Sequence, residues 1–375
     1  MTEFSAADHQ FMAKALQLAR KGLYTTMPNP CVGCVIVDAQ GWIVGEGWHE
    51  RAGEPHAEVH ALRMAGNRAK GATAYVTLEP CSHYGRTPPC AEGLIKAEIS
   101  RVVVAVLDSN PAVAGRGVKR LVDAGIQTCH GLMSEEAEQL NKGFFKRMRT
   151  GRPFVRAKLA MSLDGRTAMG SGESQWITGP DARSEVQRLR AQSCAIISGV
   201  GSILHDDSSL TLRASELNLS HAEALCQQQP LRVVLDSRLE TPVNAKVISG
   251  SGKCLIVTTN KACPERIHQL QQAGAEVWIQ PEASEQVDLP SLLNELGRRE
   301  CNHVLLETGA TLAGSMMSAD LIDELVVFVA PVLMGSDARP LMNLPLLTMS
   351  EKKSLDIIDI RAVGSDWKIT AKPRN

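Results

Sequence analysis

The chain has 375 residues, 44% of them apolar and 22% charged, about twice the length of an ordinary domain and with a composition that excludes long disorder, fibrous repeats and disulfide miniproteins. Forty basic against 41 acidic side chains leave a net charge of -1, so no basic field exists to hold nucleic acid or an anionic membrane, and any phosphate must be met by locally placed cations. Ten cysteines are too dilute for a disulfide scaffold, the amino terminus has neither a basic start nor an apolar signal core, and the longest apolar run, Leu325 to Met334, is too short to cross a membrane. A cytoplasmic location is expected.

The first twenty-odd residues place Phe11, Ala15, Leu18 and Ala19 at helical spacing, with Ser5 or Asp8 as cap and Gly22 as stop. Val32 to Asp38 and Trp42 to Trp48 read as a hairpin. Helical patterns at His56 to Arg68, Cys90 to Glu98, Gly117 to Ala124 and Ser134 to Met148 then alternate with strands at Ala72 to Leu78, Val102 to Leu107 and Ile126 to His130, which signals a helix-covered sheet. The stretch Lys146 to Pro153 breaks the pattern with cations, a glycine and a proline, and sets the domain boundary at 146/147. Beyond it, strands are predicted at Phe154 to Ala160, Ala195 to Ser198, Leu231 to Asp236, Leu255 to Thr258, Val304 to Glu307 and Leu325 to Val329. Helices are predicted at Asp181 to Gln192, Glu265 to Ala273, Leu289 to Arg299 and Thr311 to Ala319. Residues 1–146 carry 15 basic and 15 acidic groups, leaving 25 and 26 for the remainder, so neither α/β domain is a polyanion-binding module.

The strongest chemical signal is His56-Ala57-Glu58, followed by Pro80-Cys81 and Pro89-Cys90. One histidine and two cysteines supply three ligands to a tetrahedral zinc and leave one position for water, which is a catalytic rather than a structural pattern. A carboxylate that is not a ligand then serves as proton carrier, and Glu58 at a helix start is placed for it. Histidine, spaced glutamate and a prolyl-cysteine pair are the signature of zinc nucleobase deaminases; here eight residues, rather than two, separate the cysteines. The His56 and His60 spacing lacks the adjacent glutamate of a zinc protease. Cys31 and Cys34 read as buried thiols, and Cys129, Cys194, Cys226, Cys254, Cys263 and Cys301 as inert.

Thr26-Met27-Pro28-Asn29-Pro30-Cys31-Val32-Gly33, His56-Ala57-Glu58 and Pro80-Cys81-Ser82-His83-Tyr84-Gly85-Arg86-Thr87-Pro88-Pro89-Cys90 together resemble the pyrimidine deaminase half of the bifunctional riboflavin-biosynthesis deaminase-reductases. That resemblance implies a cytidine-deaminase-like α/β/α sandwich, one zinc ion on His56, Cys81 and Cys90, Glu58 as proton shuttle, and Asn29, His83 and Arg86 as substrate contacts. A cation at Arg86 suits a substrate phosphate.

No full dinucleotide fingerprint follows a strand in either half. Gly199-Val200-Gly201 comes closest but has Leu204 where the third glycine belongs; Glu307-Thr308-Gly309-Ala310-Thr311-Leu312-Ala313-Gly314-Ser315, after a strand, is a better place for backbone N–H groups to meet a phosphate. With Lys158 to Arg166, Ser174 to Thr178 and Asp206-Asp207, this segment resembles the reductase half of the same family, with a dihydrofolate-reductase-like α/β fold. Ala310 and Ser208 stand where the family often has proline. The resemblance implies NADPH contacts at Ala160, Trp176, Ser202, Asp206, Ser237 and each residue from Gly309 through Ala310, Thr311, Leu312, Ala313 and Gly314 to Ser315. It implies substrate contacts at Ser174, Arg190, Leu210, Arg213 and Glu307, with Lys158 a candidate for substrate binding or protonation. The expected activity is zinc-dependent deamination of a small phosphorylated pyrimidine followed by NADPH-dependent reduction of its ribosyl group, in a homo-oligomer that engages no nucleic acid and no membrane. The rivals are a nucleic-acid or nucleoside deaminase with an appended α/β domain, against which the neutral charge and the 4% aromatic content argue, and a non-catalytic zinc module, which needs a fourth protein ligand.

Overall fold

The structure, a computed structural model, describes residues 4–82, 89–110, 114–283 and 285–374. The chain forms two compact units, Met1–Gly151 and Arg152–Asn375.

In the first unit, helix α1 (Ala6–Ala19) starts on a capping box in which Ser5 and Asp8 satisfy each other's backbone, as the sequence predicts. Strands β1 (Gly33–Val37) and β2 (Ile43–Trp48) form the hairpin, followed by α2 (Ala57–Ala65), β3 (Thr73–Leu78), α3 (Cys90–Lys96), β4 (Arg101–Val106), α4 (Arg116–Asp123), β5 (Gln127–His130), α5 (Ser134–Leu140) and α6 (Lys142–Thr150). The sheet order is β2-β1-β3-β4-β5; β1 runs antiparallel to both neighbours and β3, β4 and β5 are parallel. Apolar residues on its two faces build two separate cores. The helix predicted over Ser134 to Met148 is two helices, broken at Asn141, whose side chain accepts from Cys31 N (2.7 Å) and donates to Cys31 O (2.9 Å). This buried amide takes the backbone out of helical geometry in exchange for a two-point tie to the chain entering β1.

Asp8 reaches beyond its cap to accept from the Tyr75 hydroxyl (2.7 Å) and Arg101 Nη1 (2.7 Å). Burial pushes its carboxyl up, but Arg101, then Tyr75 and Ser5, outweigh that and hold it well below the usual carboxylate range. A depressed folded-state pKa contributes stability above the unfolded value and loses it as pH falls through the folded one. Asp8→Asn is therefore expected to cost about 2 kcal/mol at neutral pH, with the gap to wild type narrowing below about pH 4, as urea unfolding at several pH values will measure.

The second unit contains β6 (Phe154–Ser162), β7 (Arg166–Ala168), α7 (Pro180–Ala191), β8 (Ala195–Gly199), α8 (Val200–Asp206) and the short helices α9 (Ala214–Leu217) and α10 (Ala222–Cys226). Next come β9 (Leu231–Leu235), α11 (Lys246–Ser249), β10 (Cys254–Thr259), α12 (Pro264–Gln272), β11 (Glu276–Gln280), α13 (Leu289–Arg298), β12 (His303–Glu307) and α14 (Ala310–Ser318). The chain closes with β13 (Glu324–Ala330), β14 (Arg339–Pro340), β15 (Leu355–Val363) and β16 (Asp366–Pro373). Nine strands form one sheet in the order β11-β10-β9-β8-β12-β6-β13-β16-β15, parallel from β11 to β13 and antiparallel where β16 joins β13 and β15. The six strands predicted for this half are all central, and their inward positions are apolar. The sequence reading missed β11, β15 and β16, which lie at or next to the edges, where mixed polar residues erase the hydrophobic run.

Candidate active sites

Helix α2 carries the first site at its amino end, with His56 as the residue just before it and Glu58 in its first turn. Gly45 and Gly47 bring it there: a Cβ on either would overlap a helix carbonyl, Ala61 O or Ala57 O respectively, so only glycine lets α2 lie this close to β2. Cys81 follows β3, and Cys90 opens α3. The donor atoms of His56, Cys81 and Cys90 lie within 4.8 Å of one another, with His56 Nδ1 at 3.6 Å from Cys81 Sγ and 3.3 Å from Cys90 Sγ. Among the described residues no fourth His, Cys, Asp or Glu joins them; Cys34 is buried in β1 and outside the group, and His83 and Arg86 lie outside the described residues.

The donor set fits zinc on its chemistry. Contact with Cys90, opposed by burial and reinforced by His56, draws the Cys81 thiol down to about 4, whereas the neighbouring Cys81 and burial push the Cys90 thiol up. Two thiols that cannot both ionise side by side make a place for a dication that neutralises both. Glu58 is 3% exposed and its Oε2 is buried without a hydrogen-bond partner, an orphan that a zinc-held water in the open position would satisfy. Burial pushes the Glu58 carboxyl up, with His56 opposing.

Beside the cluster, Asn29 Nδ2 donates to His49 Nε2 (3.1 Å), which leaves His49 Nδ1 to donate to Pro55 O (3.2 Å). The His49 ring packs edge-on against His56 at 5.2 Å, and burial lowers its pKa, keeping it neutral. The sequence reading included Asn29 but missed His49, whose only signal was a histidine directly after the strand Trp42 to Trp48. Cys31 and Cys34 are buried and burial raises both thiols, which makes them poor redox groups.

The second site is a pocket of about 930 Å³ in the second unit, at the carboxyl ends of β6, β8, β9 and β12, where open parallel sheets place their ligands. It is lined by Ala160, Ser202, Asp206, Ser237, Gly309, Ala310, Thr311, Leu312 and Ser315 from the expected cofactor set, and by Ser174, Arg190, Leu210 and Glu307 from the expected substrate set. Trp176 and Arg213 are not among the lining residues; Trp176 is 66% exposed with the Arg183 guanidinium 4.8 Å from its ring centre, and Arg213 pairs with Glu216 at 3.1 Å. Ala313 and Gly314 are also away from the pocket and buried in the core side of α14.

Arg190 and Glu307 form a two-pronged pair, Nε to Oε1 at 2.6 Å and Nη2 to Oε2 at 2.9 Å. Burial pushes the Glu307 carboxyl up, but Arg190, then Lys158 and Arg213, hold it below its ordinary value. Burial pushes the Lys158 ammonium down, with Glu307 opposing. Ser198 lines the same pocket, fully buried with its Oγ unpartnered. The sequence signal for it was a hydroxyl ending an apolar strand just before a glycine. The free Ser198 hydroxyl, in a cavity of this size lined by charged and small polar residues, fits a bound dinucleotide and its substrate.

A three-ligand cluster with a spare carboxylate, joined in one chain to a nucleotide-sized pocket on a reductase-type sheet, defines a zinc deaminase fused to a nucleotide-dependent reductase. Residues 5–106 match the cytidine and deoxycytidylate deaminase zinc-binding region, and residues 153–369 match the RibD C-terminal domain. The riboflavin biosynthesis protein RibD of Escherichia coli is 53% identical over 368 residues, spanning 96% of this chain and 97% of that one. The RibD of Haemophilus influenzae is 48% identical over the full length of both. Among solved structures, Acinetobacter baumannii RibD superposes with a TM-score of 0.90 at 44% identity, covering 98% of this chain and 99% of that one. A diaminohydroxyphosphoribosylaminopyrimidine deaminase/5-amino-6-(5-phosphoribosylamino)uracil reductase from Thermotoga maritima does so with 0.85 at 30%, with the same coverage. The chain belongs to the RibD family of bifunctional riboflavin-biosynthesis enzymes, and is a deaminase and reductase that uses zinc and NADPH. Among the described residues no helix is long and apolar enough to cross a membrane.

Proposed function

We propose that residues 1–146 deaminate 2,5-diamino-6-(ribosylamino)pyrimidin-4-one 5'-phosphate and that residues 147–375 reduce the ribosyl group of the product to ribityl, in the cytoplasm. The compact units divide at Gly151/Arg152, just past α6 rather than at 146/147 within it; the presence of two units supports two activities, and the activity named for the Thermotoga relative supports this substrate. The observation that carries the first half is the cluster of His56, Cys81 and Cys90 beside the unpartnered Glu58 oxygen.

His56 and the two cysteine sulfurs hold the metal, which when bound lowers the pKa of its water toward neutral. As water oxygen replaces the amino group on the ring carbon, Glu58, whose buried Oε2 is free, would take the proton that the water gives up and hand it to the departing amine, so that ammonia leaves. Asn29, His83 and Arg86 hold the pyrimidine and its phosphate. In the second half NADPH supplies the hydride. Arg190 and Glu307 orient the ribosyl chain, Ser174 and Leu210 complete the substrate site, and Ala160, Ser202, Asp206, Ser237, Gly309, Ala310, Thr311, Leu312 and Ser315 hold the cofactor.

A chelator that strips the metal is expected to stop ammonia release while NADPH oxidation on the already deaminated intermediate continues. Zinc content measured beside both assays checks this, and ammonia release by metal-free protein would sink the deaminase assignment. The homo-oligomer is supported by β15, an edge strand that exposes Ile357 (61%), Ile358 (63%) and Ile360 (51%). An unpaired apolar edge of this kind is covered in stable proteins, and sedimentation as a monomer at micromolar concentration would remove that support.

A further inference from the structure

Glu79 lies between the end of β3 and the Pro80-Cys81 pair, and the proton relay leaves its carboxylate unused. The residue is 4% exposed, and main-chain donors occupy both of its oxygens. Oε2 accepts from Asp108 N (3.1 Å) and Gly115 N (2.9 Å), and Oε1 from Gly117 N (2.8 Å) and Val118 N (3.1 Å). These four N–H groups belong to the connection between β4 and α4 and to the first turn of α4. Gly115, which precedes that helix, has no side chain to cap it, so the carboxylate of Glu79, just past β3, does the capping, where its charge also meets the positive end of the helix.

The clamp presses on the peptide that leads to Cys81. Glu79 N donates to Val106 O at 3.0 Å, and Gly117 comes so near Pro80 that a Cβ there would overlap the Pro80 carbonyl oxygen. On the opposite side Cys81 O accepts from Ala91 N at 3.2 Å and Cys81 Sγ from Cys90 N at 3.3 Å. Glu79, Pro80 and Cys81 are thus held between the start of α3 and the backbone leading into α4. Burying a carboxylate costs several kcal/mol unless every lone pair is used, and here the four charge-assisted bonds all serve the segment beside one metal ligand.

We infer that Glu79 is a positioning residue of the deaminase site: by tying the main chain at Asp108 and at the start of α4 to the peptide before Pro80, it fixes where the Cys81 sulfur stands relative to His56 and Cys90. The inference rests on the reading of those three residues as zinc ligands.

The test uses the full-length protein, zinc-loaded and cobalt-substituted. Glu79→Gln keeps the shape but turns an amide N–H toward backbone donors. Zinc release to a chromophoric chelator is expected to quicken by about tenfold or more, the range for outer partners of metal ligands. The cobalt-thiolate absorption should change, and deaminase kcat should fall about tenfold with KM moving less than about threefold. NADPH oxidation should be unchanged, and Glu79→Asp, which keeps the charge on a shorter arm, should recover part of the loss. A folded Glu79→Gln protein with wild-type release rate and cobalt spectrum, or one in which only KM moves, overturns the inference. If that variant does not fold, Gly117→Ala pushes the same backbone away from Pro80 with the carboxylate intact, and an unchanged cobalt spectrum there overturns it equally. Wild-type protein that takes up neither zinc nor cobalt would instead refute the ligand reading itself.

Discussion

Glu58→Gln is expected to reduce ammonia release by about a thousandfold, within the range that a positioned proton carrier supplies, while the metal stays bound and NADPH oxidation on the deaminated intermediate continues. The size of the effect follows from placement. Glu58 is 3% exposed, next but one to a ligand, with Oε2 buried and unpartnered, so no solvent group stands ready to replace it as acceptor. The amide is nearly the same size and leaves His56, Cys81 and Cys90 untouched, which separates proton transfer from metal retention. Zinc analysis, an ammonia assay and a melting curve on the same preparation check the result. Loss of both activities in a folded, zinc-loaded variant would show that the two sites do not act independently.

The zinc site was legible because its chemistry is carried by rare residue types at short spacing: a histidine and glutamate two apart, and two cysteines each preceded by proline. The central strands were legible where a buried apolar run marks them, as at Val102 to Val106 in β4 and Val304 to Leu306 in β12. Edge strands lose that signature, and β15, with Asp359 between its isoleucines and Asp356 and Arg361 flanking them, reads as polar loop. The cofactor turn shows a different limit. Gly309 to Ser315 reads as one continuous stretch, yet a helix presents only one face, so Thr311, Leu312 and Ser315 line the pocket while Ala313 and Gly314 pack inward. Glu79 and Ser198 escaped for a third reason. The partners of Glu79 are backbone groups from a segment far along the chain, and the oxygen of Ser198 has no protein partner. Neither relation leaves a trace in residue types.

In the reductase half, the largest effect is expected from Arg190→Ala. Both carboxylate oxygens of Glu307 are taken by this one guanidinium, and its remaining Nη1 donates to Thr211 O at 2.9 Å, so the side chain also pins the loop that carries Leu210. With the two side chains only 10% and 11% exposed, deleting the cation strands a buried carboxylate, at a cost of about 3 kcal/mol in stability. A loss of about a hundredfold or more in reductase kcat/KM is expected, equivalent to about 2.7 kcal/mol of transition-state stabilisation. Arg190→Lys keeps the charge but not the fork and should fall between the two. Combining Arg190→Met with Glu307→Gln removes both charges, so stability should return toward wild type while reduction stays lost. That divergence separates the pair's part in the reaction from its part in the fold. Deamination should be unaffected in all three proteins, and a reductase kcat/KM within about threefold of wild type in Arg190→Ala would take the pair out of the site.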